Sequence, residues 1–102
     1  MTKNENLLVT LMEECAELQQ AVSKALRFGM DGCRPVNTER NNERDIMFEY
    51  YQLVSVMEML ISGNVLHEFS VADEALVKIQ KKINVARYQE ISESAGTIKG
   101  KL

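Results

Sequence analysis

Apolar residues recur at three- and four-residue intervals along three long stretches, the spacing that gathers them on one face of a helix. In the first stretch Leu8, Leu11, Cys15, Leu18, Val22 and Ala25 form the stripe, which predicts a helix from about Glu5 to Phe28. Gly29 follows where a glycine commonly ends a helix. The segment Met30 to Asn42, with Gly32, Pro35 and several polar side chains, reads as a loop, long enough to have a function of its own. A second helix is predicted from Asn42 or Glu43 to Gly63-Asn64, with Ile46, Leu53, Val56, Met57 and Leu60 as its stripe. Ser70, with Asp73 three residues later, resembles a capping box opening a third helix. Ala72, Ala75, Leu76, Ile79, Ile83 and Ala86 carry that helix to Tyr88 or beyond, and no stretch alternates as a convincing strand. Residues 1–91 form the predicted helical domain, and 92–102 a frayed or partner-dependent tail.

Composition narrows what such helices do. The chain has 102 residues, 45% hydrophobic and 26% charged, with a single proline, which suits one compact all-α domain. A formal charge of -3 offers no broad basic surface for nucleic acid. The apolar runs are too short to cross a bilayer, and the first residues lack the apolar core of a signal peptide, which predicts a cytoplasmic protein without a membrane partner. Two cysteines make neither a disulfide framework nor a zinc site. Three helices give each stripe few partners, so the expected architecture is an antiparallel helical bundle completed by oligomerisation, as a homodimer or homotetramer.

Certain acids fall where a solvated face does not put them. At 100° per residue, Glu14 shares its angular position with Leu7, Leu18, Ala21 and Ala25, inside the apolar stripe or at its inner edge. Glu17 follows one turn later on the flank, and Glu13 points toward solvent. Glu49 falls between Leu53 and Leu60 on one side and Val56 on the other. A buried carboxylate without compensation costs several kcal/mol, roughly, so acids on two core faces need cations or hydrogen bonds. If the helices pack through these stripes, Glu14, Glu17 and Glu49 converge, an oxygen-rich set suited to Mg²⁺ or Mn²⁺. Salt bridges to Lys24, Arg27, Lys82 or Arg87 are the alternative.

The run Glu13-Glu14-Cys15-Ala16-Glu17-Leu18, followed by Ser23-Lys24 and Arg27-Phe28-Gly29, resembles the Glu-Glu-x-x-Glu motif of the MazG-like all-alpha nucleotide pyrophosphohydrolases. Their second motif, Glu-x-x-Asp, lies on the next long helix and aligns its Glu with Glu49 and its Asp with Gln52. The segment Lys82 to Tyr88, with Gly96-Thr97 beyond, looks like the third-helix ending of small phage and bacterial members. The resemblance implies an all-alpha fold and a Mg²⁺-dependent enzyme that releases pyrophosphate and a nucleoside monophosphate from a nucleoside triphosphate. It also implies oligomers with active sites completed between subunits, working in the cytoplasm, or in the host's cytoplasm for a phage-encoded chain. Carried over residue by residue, it makes Glu14, Glu17 and Glu49 catalytic metal ligands, with Gln52 as the fourth ligand position.

Two departures follow. Gln52 replaces a carboxylate with an amide, a weaker Mg²⁺ ligand, and the spacer between Glu17 and Glu49 lies at the long end of the family pattern. Asp45, one turn before Glu49, either supplies the missing charge or is an acid favoured by the helix N-terminus. A second reading is therefore a degenerate, nucleotide-binding or regulatory relative, and a third is a helical interaction protein held by salt bridges. Lys24, Arg27, Lys82 and Arg87 are the candidate phosphate-binding residues, each otherwise a solvated side chain. Phe28 and Tyr88 either stack on a base or pack. His67 reads as surface, Cys15 as packing, Cys33 as an exposed thiol, and the six methionines as core filler.

Overall fold

The computed structural model is all-α in its main architecture, and it describes residues 1–34 and 37–99, with only the backbone described at 33, 34 and 37–40. The helices are α1 (Lys3–Phe28), α2 (Asn42–Ser62) and α3 (Val71–Ser94). No helix among the described residues is long and apolar enough to cross a membrane. The chain divides into two compact units, Met1–His67 and Glu68–Leu102.

In the first unit α1 begins two residues earlier than its apolar pattern predicts, because a cap precedes the stripe. Thr2 accepts a hydrogen bond from the Glu5 backbone (3.1 Å), and the Glu5 carboxylate accepts one from the Thr2 backbone (2.9 Å). This reciprocal box satisfies amides that the first turn leaves without helical partners. The segment Met30 to Asn42, expected to be a loop, contains a short antiparallel ribbon of β1 (Cys33–Arg34) and β2 (Asn37–Asn41). Its strands are short and polar, so hydrophobic periodicity carries no trace of them.

The end of α1 is fastened to the start of α2. Asn42 donates its side-chain amide to the Gly29 carbonyl (2.8 Å) and its backbone amide to Gly32 (2.8 Å), while Glu43 donates to Met30 (3.0 Å). A Cβ at Gly32 would stand 2.8 Å from the Asn42 amide nitrogen and 3.0 Å from the Phe28 carbonyl oxygen, so a larger residue there would push the Asn42 side chain out of its place. Gly29 itself has φ 91° and ψ 152°, a conformation open to glycine alone. The Asn41 side chain accepts from the Arg44 backbone and caps α2 (2.8 Å).

From that junction α1 and α2 pack side by side as an antiparallel hairpin. Ala21 and Ala25 of α1 and Val56 and Leu60 of α2 are buried, and Leu60 is completely shielded. The inward seam of α1 runs through the half-buried Leu7, Leu11, Glu14 and Leu18 to the buried Ala21 and Ala25. Leu8, Cys15 and Val22, expected in the core, are exposed instead. The chain has two adjacent apolar seams on α1, and the hairpin uses the one containing Glu14. The α2 helix ends with Asn64 at φ 58°, where the Val65 amide reaches the Leu60 carbonyl (2.9 Å) and the Asn64 amide reaches Ile61 (3.0 Å). These are the paired bonds of a Schellman motif, with Asn in the place glycine usually takes.

In the second unit Ser70 accepts from the Asp73 backbone (3.1 Å) and caps α3, as the sequence predicts. No residue of α3 is buried, so its expected stripe is exposed within the single chain. The far end is capped where a frayed tail is predicted. Gly96, at φ 77°, donates to Glu93 (3.0 Å), and Thr97 donates to Ser92 through its backbone (2.9 Å) and its hydroxyl (3.1 Å). The methionines are not core filler: Met1, Met12, Met30, Met47 and Met59 are exposed.

Candidate metal centre

Glu14 belongs to the inward seam of α1 because it stands between Leu11 and Leu18 at the four- and three-residue spacing of that seam. Glu17, one turn on, reaches the same place from the exposed flank. Glu49 arrives from α2, where the spacing to Leu53, Val56 and Leu60 turns it toward α1. One carboxylate oxygen from each of the three lies within 4.8 Å of the others.

This is costly company for carboxylates. Oε2 of Glu14 is buried and accepts no hydrogen bond among the described residues, and Oε2 of Glu49 is likewise screened from solvent. The Glu14 pKa is raised above its ordinary 4.5, first by burial, then by the negative charge of Glu17 and side-chain hydrogen bonding with it, and last by the charge of Glu13. Every one of these influences disfavours the ionised form.

A cleft of roughly 280 Å³ opens beside the cluster, lined by Glu17, Gln20, Ala21, Lys24, Asp45 and Glu49. Asp45 is only 4% exposed. It stands in the first turn of α2. Lys24 stands two turns beyond Glu17 on the same flank and brings a positive charge to the cleft wall.

The donor set fits a hard divalent cation. Oxygen ligands around an octahedral Mg²⁺ stand about 3 to 4 Å apart, so modest side-chain rotations allow all three carboxylates to share one ion. The buried Glu14 oxygen without a hydrogen bond is the kind of lone pair such an ion satisfies. Three carboxylates without histidine or thiolate suit Mg²⁺ or Mn²⁺ better than softer metals.

The remaining candidates fall in different places. Gln52 is half-buried, one turn past Glu49, and is not among the residues lining the cleft. Arg27 is exposed in the last turn of α1. Lys82 and Arg87 are exposed on α3, in the second unit. Glu13 and His67 are exposed, as expected, and so are Phe28 and Tyr88. Cys15 is exposed rather than packed. The Cys33 side chain lies outside the described ones. Gln20, neither acid nor base, also lines the cleft, because its place three residues after Glu17 and four before Lys24 puts it on their flank. Comparison with protein-family models, with curated proteins and with solved structures finds no match to this chain.

Proposed function

We propose that this protein is a divalent-metal-dependent nucleoside triphosphate pyrophosphohydrolase of the MazG-like kind, converting a (d)NTP and water into a nucleoside monophosphate and pyrophosphate. The observation that supports this most is the meeting of Glu14, Glu17 and Glu49, from two helices, within 4.8 Å. These three would hold Mg²⁺ or Mn²⁺, with the position of Gln52 next in line. A bound ion at this place supplies charge neutralisation for the triphosphate and lowers the pKa of a water. Lys24, on the wall of the same cleft, would meet a phosphate oxygen. Screening of one carboxylate oxygen each on Glu14 and Glu49 keeps bulk water from competing for it, which would strengthen their hold on a cation. Arg27, Lys82 and Arg87 are further phosphate-binding candidates. The cytoplasm and a homodimer or homotetramer complete the reading.

Gln52 supports a second reading, in which the chain binds nucleotide without turning it over. The two separate in one assay. Purified protein with Mg²⁺ or Mn²⁺ is given a panel of ribo- and deoxynucleoside triphosphates, and pyrophosphate is measured. Release that disappears in Glu49→Gln supports the enzyme; nucleotide binding by calorimetry without release supports the binding module. Release unchanged in Glu49→Gln removes this site from the reaction.

A further inference from the structure

The inward seam of α2 has two unlike halves. In its C-terminal half it is apolar, with Leu53 half-buried, Val56 buried and Leu60 completely shielded. In its N-terminal half the same face carries Asn42, Asp45, Glu49 and Gln52 at three- and four-residue steps. Ile46 stands beside them half-buried, but the seam itself offers α1 only amides and acids here. Hydrophobic burial therefore fixes one end of the helix pair and leaves the other to polar contacts. That other end is where Glu49 meets Glu14 and Glu17, and three carboxylates with one oxygen each within 4.8 Å repel one another when ionised.

The junction at Asn42 opposes that repulsion. Asn42 is 9% exposed, and its side-chain amide donates to the carbonyl of Gly29, the C-cap of α1, at 2.8 Å. The backbone bonds from Asn42 to Gly32 and from Glu43 to Met30 tie α2 to the turn that follows α1. The side-chain bond reaches the end of α1 itself, through space that Gly32 leaves clear. Asn42 also shares a face with Glu49, two turns later, so a slide or rotation of the first turn of α2 is passed on to Glu49.

We propose that Asn42 is a positioning residue of the acidic site: by donating to Gly29 it holds the polar half of α2 against α1, and so keeps Glu49 in reach of Glu14 and Glu17. Its consequence for metal binding and turnover rests on the proposed function; the placement of Glu49 stands without it.

The full chain tests it through Mn²⁺ binding by calorimetry, unfolding in urea, and crystals grown without metal. Ionised aspartate has the shape of asparagine but only accepts hydrogen bonds, and it suits a helix N-terminus. Asn42→Asp therefore keeps the start of α2 and turns the attraction to Gly29 into repulsion. It is expected to weaken Mn²⁺ binding by about tenfold or more, with helix content by circular dichroism unchanged. Gly32→Ala, whose Cβ would stand 2.8 Å from the same amide nitrogen, displaces the Asn42 side chain without altering it. It is expected to act in the same direction, and it carries the test if Asn42→Asp does not fold. Val56→Ala removes buried apolar surface roughly 10 Å beyond Glu49. It is expected to lower the urea midpoint at least as much as Asn42→Asp, yet to leave Mn²⁺ affinity within about twofold of the wild type. A merely structural role predicts that affinity falls in step with stability in all three variants. That result overturns the proposal, and so does unchanged affinity in Asn42→Asp and Gly32→Ala. A wild type that binds no Mn²⁺ counts against the metal reading alone, and the metal-free crystals then decide. The expected result is a Glu49 carboxylate more than 4.8 Å from those of Glu14 and Glu17 in Asn42→Asp but not in the wild type. Equal distances in the two overturn the positioning role.

Discussion

The two units of this chain have similar apolar periodicity and very different fates. In the hairpin, Ala21, Ala25, Val56 and Leu60 are buried, and the junction at Gly29, Gly32 and Asn42 fixes where the second helix starts. In the second unit a longer helix than α2, well capped at Ser70 and Gly96, buries nothing. Capping and spacing are thus enough to define a helix, but its energy comes from what covers the stripe. The hairpin also shows the converse: the same geometry that buries alanines places two glutamates among them.

The largest expected contrast between the units is in stability. Leu60→Ala should cost about 2 to 5 kcal/mol in urea unfolding, the usual cost of emptying a closed leucine site. Ile83→Ala, on the exposed stripe of α3, should stay within about 0.5 kcal/mol. An equal loss at Ile83 would mean that α3 is covered in solution.

Next in size is the contrast in metal binding. Glu49→Gln should weaken Mn²⁺ binding by at least about tenfold, as measured by calorimetry. Glu90→Gln, an equally acidic change on α3, should leave it unaltered. Gln52→Asp sharpens the same comparison: tighter binding makes position 52 a ligand, and unchanged affinity directs attention to Asp45.

A pH dependence specific to the hairpin comes third. Glu14 holds its proton more tightly folded than unfolded, so the folded state binds more protons between the ordinary 4.5 and the raised value. Its contribution is therefore fully present below 4.5 and is lost as pH rises through the raised pKa. The melting temperature of metal-free wild type, relative to Glu14→Gln, should fall across that window. Saturating Mg²⁺ should remove the fall, because the ion takes the place of the proton. A difference that does not vary with pH would contradict the burial of the Glu14 charge.

The smallest effect is at the helix ends. Gly96→Ala forces a side chain into a left-handed conformation at a cost of about 1 kcal/mol. Hydrogen exchange should register it as faster opening near Ser92 and Glu93, with the hairpin undisturbed.

Much of this was legible in the residues. Gly29, Ser70 and the pair Gly63-Asn64 mark helix ends through local backbone chemistry, which needs no tertiary knowledge. The places of Glu14 and Glu49 on the core faces follow from angular position alone. The choice between the two seams of α1 does not: Leu8, Cys15 and Val22 look as apolar as Leu7, Leu18 and Ala21, and only the partner decides between them. The ribbon at Cys33–Arg34 and Asn37–Asn41 has too little hydrophobic alternation to register. The burial of Asp45 and Asn42 depends on the junction folding back on α1, a contact between residues far apart in sequence. The cap at Gly96 was readable in principle, since a glycine two residues past a helix is its usual signal.

The central claim is that Glu14, Glu17 and Glu49 share one divalent cation, and anomalous scattering from crystals grown with Mn²⁺ tests it most directly. The account predicts a single strong peak within bonding distance of all three carboxylates, absent from crystals of Glu49→Gln. No peak there in the wild type, with the three side chains turned apart or each bonded to a basic residue, would contradict it.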